Sequence, residues 1–294
     1  MGKKQNNISS RETARIFFRS LSCAQSLITV LDRAFDHPMP KEEIAAHPVA
    51  GGLLHQGHQC GMIWGAILAS GAEVYNRFGS GPKSEAIAIN VAIKVVESFN
   101  TRAGVINCRD ITGVNLLSFR GRMKYLFTGK GLDCARLAVK WAPEAFETIR
   151  NSLSEKAVEV PTPVSCASIA ARKMGASDME ATMVAGFAGG IGLTGKACGA
   201  LGAAIWLTTL RWYSAHPEVG DNFLRALKQE TSQKIDFYPG ARSVVKRFLK
   251  ITSGKIQCVE IVGRSFKNIN DHADFLKTGG CSDIIEAFTH TLTP

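Results

Sequence analysis

No two cysteines of this chain lie close together in sequence. C-x-x-C is absent, so the local ligand pairs of zinc fingers and bacterial ferredoxins are not available. C-x-x-C-H is also absent, which excludes attachment of a c-type haem. No clean apolar run reaches the roughly 20 residues of a membrane span. Residues 53–74 carry His55, His58 and Glu73, and residues 184–210 carry Lys196 and many glycines. Both stretches are expected as buried helices. The polar start, Met1 to Arg15, and the interruption by Arg19 make a poor secretory signal, and the cytoplasm is the expected compartment. Phosphate loops and nucleotide fingerprints are missing. Gly186 to Gly195 is glycine-rich, but it follows a helical pattern where a dinucleotide loop would follow a strand. His37, His47, His55, His58, His216, His272 and His290 show no catalytic spacing, so an electron carrier or accessory redox protein is a better expectation than an enzyme.

What the chain has is eight cysteines in two matching sets. Cys23, Cys60, Cys108 and Cys134 form one, and Cys166, Cys198, Cys258 and Cys281 the other. Each set opens with Cys-Ala. The second members sit in Gly57-His58-Gln59-Cys60-Gly61 and Gly195-Lys196-Ala197-Cys198-Gly199. The third members precede a glycine by five residues, at Gly113 and Gly263, and the fourth follow glycine turns. A duplicated unit that keeps four thiols in register suggests that the four act together. With 294 residues, 45% of them hydrophobic, the chain has room for two medium domains. We place them at residues 9–154 and 165–294, joined by a linker at 155–164 that carries Pro161-Thr162-Pro163.

The patterning is helical in both halves. Ser9 to Glu12 has capping-box spacing ahead of apolar residues from Ile16 to Leu31. Pro40 suits the start of a short helix, Lys41 to Ala46. Further helices are expected at about Gly57 to Phe78, Ser84 to Asn100, just after Cys108, and from Cys134 to about Leu153. The second half repeats the order from Cys166, with a capping box at Ser177 to Glu180, a long apolar segment from Val184 to Ser214, a turn at Pro217 to Asp221, and a helix from Gly240 to Lys250 after Pro239. Ile256 to Val262 could be extended, but its counterpart reads as helix. The fold class is therefore all-α, as two tandem pseudo-symmetric helical bundles.

The net charge of +10 suits an acidic redox partner protein steered by long-range attraction. Nucleic acid lacks a recognition motif to accompany it, and a solvated basic surface explains the charge equally well. Asp110 and Glu260, two residues after a cysteine, read as helix-capping residues.

Dispersed cysteines place each thiol on a different element, so a site formed from them exists only after the helices pack. The flanking Gly57, Gly61, Gly131, Gly195, Gly199 and Gly280 would let backbone N–H groups approach sulfur. The stretches Cys60-Gly61-Met62-Ile63-Trp64-Gly65 and Cys198-Gly199-Ala200-Leu201-Gly202-Ala203, together with the other cysteine contexts, resemble the C-GCAxxG-C-C family of redox-active four-cysteine proteins. The likeness covers nearly the whole chain as two copies. Met62 and Ala203 depart from the family pattern. The resemblance implies a helical unit whose four cysteines serve redox or metal chemistry. A similar unit accompanies split-Soret cytochromes, where the cysteines hold an iron–sulfur cluster.

Three functions remain open on the sequence. The first is an iron–sulfur protein, most simply with one [2Fe-2S] centre per half held by the eight cysteines as metal ligands. The second is a metal-free thiol–disulfide protein. The third is a structural zinc or interaction module. His55 and His58 would ligate, tune, or merely lie near the first centre.

Overall fold

The computed structural model describes residues 8–153, 162, 164–216 and 239–289. Among them are fifteen α-helices and no strand, with two isolated β-bridges. The linker at 155–164, apart from residues 162 and 164, and the turn at Pro217 to Asp221 lie outside the described residues.

The first half begins with a correction. Its apolar periodicity predicts one helix to Leu31, yet the chain forms two, α1 (Ser10–Ser20) and α2 (Cys23–Ala34). Leu21 turns left-handed at φ 51°, and the Ser22 hydroxyl accepts from the Gln25 N–H to start α2. The break leaves Cys23 at the first position of a helix. Ser9 is the N-cap of α1, but its side chain makes no cap bond. Glu12 does not complete a capping box and instead pairs with Arg33 at 3.3 Å.

Next come α3 (Pro40–Ala45), a 3₁₀ turn at His47–Val49, and α4 (Gly61–Phe78). Then follow α5 (Pro82–Ala103), α6 (Cys108–Thr112), α7 (Phe119–Phe127) and α8 (Lys130–Ser152). Helix α4 starts four residues later than its sequence suggests, because residues 51–55 and Gly57 all take positive φ. Helix α8 starts earlier, so Cys134 lies inside it. The expected cap role of Asp110 takes a modified form: it accepts from the Asn107 amide at 2.9 Å in the first turn of α6.

The second half runs α9 (Cys166–Lys173), α10 (Asp178–Met183), a 3₁₀ turn at Ala185–Phe187, and α11 (Gly199–Ala215). It closes with α12 (Pro239–Ile251), α13 (Cys258–Val262), α14 (Ile269–Lys277) and α15 (Ser282–Thr289). The capping box of Ser177 and Glu180 is fully formed. The segment from Val184 divides into the 3₁₀ turn, a left-handed stretch and α11. Ile256 to Val262 is helical from Cys258 onward.

The two halves share one apolar core. Helix α4 is buried on nearly every face and packs on α2, α5 and α10. The Trp64 ring meets Phe187 edge-on at 4.6 Å and fills the space above Gly202, the residue that corresponds to Trp64 in the other half. Gly71 lets α4 lie against the Met183 backbone, where an added Cβ would approach within 2.5 Å. Polar groups cross the seam as well. Trp206 Nε1 donates to the Glu42 carbonyl at 3.1 Å, and the Gln59 amide bonds Gly190 O and Ala197 N–H.

Candidate functional site: two four-cysteine clusters

Six of the eight cysteines mark helix starts. Cys23, Cys108, Cys166 and Cys258 are the first residues of α2, α6, α9 and α13, while Cys60 and Cys198 are the N-caps of α4 and α11. Exposed N–H groups at a helix start favour a negative sulfur. In each half a single β-bridge ties the second cysteine to the third, Gln59 to Asn107 and Ala197 to Gln257. Cys60 N–H donates to Ile106 O at 2.8 Å and Cys108 N–H to His58 O at 2.6 Å. The equivalents are Cys198 to Ile256 at 2.9 Å and Cys258 to Lys196 at 2.5 Å. The fourth cysteines differ. Cys134 lies within α8, whereas Cys281 precedes α15 with φ 63°.

The first cysteine of each set rests against a left-handed turn. Residues Gly51 to His55, and likewise Gly189 to Leu193, take five consecutive positive φ values. Leu53, Leu54 and His55 each hold a conformation costing about 1–2 kcal/mol for an L-residue. The turn is closed by matching bonds in both halves, including Leu54 N–H to Pro48 O at 2.7 Å and Gly192 N–H to Gly186 O at 2.9 Å. It presents the N–H of Gly51 to the Cys23 sulfur and that of Gly189 to Cys166, an arrangement suited to anions. Gly61 completes the first cradle, since a Cβ there would lie 2.6 Å from the Cys23 sulfur.

In the first half all four thiols line one cavity of about 450 Å³. Phe17, Leu21, Ile111 and Leu116 wall it, and His55, Arg122 and Tyr125 bring its polar groups. No carboxylate lines it. A hydrogen bond from Cys60, opposed by burial and aided by the Gly51 and Ala24 N–H groups, lowers the Cys23 thiol to about 7. Cys60 is correspondingly pushed up, as the donor in that bond and by burial. Burial raises Cys108 and also Cys134, the latter to about 11 even though the Tyr125 hydroxyl bonds its sulfur. Burial, and then the charges of Arg122 and Arg242, lower His55 from the ordinary imidazole range. His58 does not reach the cavity, and its side chain lines the seam beside Arg109 and Lys196.

In the second half Cys198, Cys166 and Cys281 each lie near enough to Cys258 to raise its thiol further, after burial. Burial raises Cys198 to about 12 and pushes Cys258 and Cys281 up as well. Cys166 is lowered, because a hydrogen bond from His272 and its charge outweigh burial. His272 is itself buried, with Nδ1 3.0 Å from Val164 O. A carbonyl only accepts, so Nδ1 carries a proton. His272 escapes a sequence reading, because it lies far from any cysteine and its counterpart in the first half is Arg122. Tyr125 likewise corresponds to Phe275. A polar residue replacing its counterpart between repeats was the signal available.

The four sulfurs of the first set open on one cavity. Among the described residues no three His, Cys, Asp or Glu side chains gather closely enough to hold one metal ion. Of the six flanking glycines, only at Gly61 is a cysteine sulfur among the atoms that an added Cβ would crowd. Gly57 faces Arg109, Gly195 faces Val259, Gly199 faces Phe187, Gly280 faces Phe275, and Gly131 faces Tyr125.

Fold and site together define a duplicated all-α protein with one four-thiol cluster per repeat. Residues 21–147 and 164–293 each match the family described as "Putative redox-active protein (C_GCAxxG_C_C)", and the chain belongs to that family as two tandem copies. No curated protein and no solved structure matches the chain significantly.

Proposed function

We propose that each quartet holds an iron–sulfur cluster, most simply [2Fe-2S], and that the chain carries single electrons in a reducing compartment. The ligands would be Cys23, Cys60, Cys108 and Cys134 in one half, and Cys166, Cys198, Cys258 and Cys281 in the other. The observation that carries this reading is the single acid-free cavity onto which four thiols from four separate elements open. That donor set fits thiolate-bound iron. When bound, such a cluster supplies one-electron exchange. The chain's own groups would hold the sulfurs as thiolates, through the Gly51 and Gly189 N–H groups, Tyr125 and His272. The apolar walls would keep water away. The +10 charge favours an acidic redox partner protein.

Protein purified without oxygen and reconstituted with iron and sulfide should carry about four irons per chain. Dithionite should then produce a paramagnetic signal, and Cys108→Ser or Cys258→Ser should each remove about half of the iron. Iron-free protein under these conditions, or iron indifferent to both substitutions, would overturn the reading.

One observation favours a second reading. Cys23 and Cys60 are hydrogen-bonded to each other, with the proton kept by Cys60. Such a pair can pass two electrons and two protons to a small-molecule disulfide, forming a Cys23–Cys60 bond while the oxidant becomes two thiols. Peptide mapping of oxidised protein identifies that bond, and eight thiols still free after the oxidant removes the reading.

A further inference from the structure

Helix α7 is out of character with its own repeat. Phe119 and Phe127 are 70% and 80% exposed, and Leu126 stands out beside them. Gly121 is the only residue of α7 that is buried. In the second half the same element, α14, buries Ile269, His272, Ala273 and Leu276. Ile269 and Leu276 correspond to Phe119 and Leu126, and Lys277 stands where Phe127 would be. The repeat thus supplies an internal control: this helix can be packed inward, and in the first half it is not.

The exposed side chains do not stand alone. Phe18, Leu21 and Leu132 are also exposed. With Leu126, these three line the cavity that holds the four thiols, so the apolar collar surrounds its mouth. Arg120, Arg122, Lys124 and Lys130 all fall in the same stretch, and no acidic residue occurs between Asp110 and Asp133. The helix of the second half carries Asp271 and Asp274 instead.

We propose that this face is a docking site for an anionic lipid surface, on which α7 lies with Phe119, Leu126 and Phe127 directed into the headgroup boundary. Cations alternating with protruding aromatic and leucine side chains on one short helix form the pattern of an interfacial helix. The cations meet lipid phosphates while the apolar ridge enters the acyl boundary. A second copy of the chain is disfavoured as the occupant, because it would set four cations against the same four. An acidic protein would need a groove shaped for isolated projecting rings, whereas lipid needs none. Among the described helices none is long and apolar enough to cross a membrane, so the contact is peripheral. It is independent of what the four cysteines hold.

Co-sedimentation of the full chain with vesicles tests the site. One set would be phosphatidylcholine and phosphatidylglycerol in a roughly 3:1 ratio, the other phosphatidylcholine alone. We expect binding to the mixed vesicles, weakened at least about tenfold by added salt, by F119S/F127S and by R120E/K124E. These residues are exposed, so the variants should keep the parent's helical circular dichroism. Lys277→Ser, at the place of Phe127 in the second half, should bind like the parent. Failure of the parent to bind, equal binding to both vesicle types, or binding unchanged in both double variants would each overturn the site. So would lipid-free dimerisation that F119S/F127S abolishes, which would assign the face to a second copy.

Discussion

Two of the eight thiols are lowered, Cys23 and Cys166, and of the two only Cys23 is partly exposed. Cys23 accepts from the Cys60 thiol, from the Gly51 N–H of the left-handed turn and from the Ala24 and Cys23 N–H groups at the start of α2, whereas Cys108, Cys134, Cys198, Cys258 and Cys281 are pushed up mainly by burial. In reduced, metal-free protein Cys23 should therefore be alkylated first by iodoacetamide, with a midpoint at about 7. Cys60→Ala should move that midpoint upward toward the ordinary thiol range. Mass spectrometry of the labelled peptides checks both, and equal labelling of Cys258 would contradict the assignment. A second residue matters for stability. Asp32 is buried at the far end of α2, and its Oδ2 has no partner. Burial, and then the charges of Glu43, Glu42 and Glu73, raise its carboxyl well above the ordinary 3.8. The folded chain thus binds a proton that the unfolded chain releases, and stability falls as pH climbs from about 4 toward the raised value. Asp32→Asn should stabilise the protein by about 1–2 kcal/mol near neutral pH. The gain should vanish near pH 4, as denaturant titration at both values would read.

The element that most constrains the site is the left-handed turn before α4 and its copy before α11. Gly51→Ala should cost about 2 kcal/mol or more, since φ is +64° and the new Cβ would lie 2.6 Å from the His55 ring. Leu54→Gly tests the same geometry in the opposite direction. The copy already carries Gly192 there at φ 53°, so about 1 kcal/mol of backbone strain should be relieved, less the packing lost from a half-buried leucine. Leu54→Gly should therefore cost clearly less than Gly51→Ala, as the unfolding free energies of the two variants would show. The turn was hidden from sequence reading, because Leu53, Leu54 and His55 are poor candidates for positive φ and nothing local marks them. Leu21 hid the division between α1 and α2 in the same manner. What could be read was what rests on spacing and caps. The cysteine register, the helix after Pro40, the short helix closed by Gly113, and the capping box at Ser177 are all present as expected. The box at Ser9 failed because a residue 21 positions along, Arg33, competes for Glu12. Helix α7 was missed because its apolar residues point outward, so no buried face marked it.

At the scale of the whole molecule, the two repeats share one apolar core and carry one cysteine quartet each. The core runs unbroken from α2 through α4 to α11, and at the seam sizes are exchanged, Trp64 in one repeat against Gly202 in the other. Two tryptophans at that pair of positions would collide, and two glycines would leave a void, so the repeats are no longer interchangeable. The same divergence reaches the sites, where Tyr125 serves Cys134 in one half and His272 serves Cys166 in the other. If the shared core governs folding, unfolding has one transition, and damage at the seam is felt in both halves. Gly202→Ala sets a Cβ against the Trp64 indole and should destabilise the protein by about 2–3 kcal/mol. The loss should register equally in tryptophan fluorescence and in the exposure of Cys108 and Cys258 to a thiol reagent. Separate midpoints for Cys108 and Cys258 would mean that each repeat folds alone, and that the seam between them is a contact between finished domains.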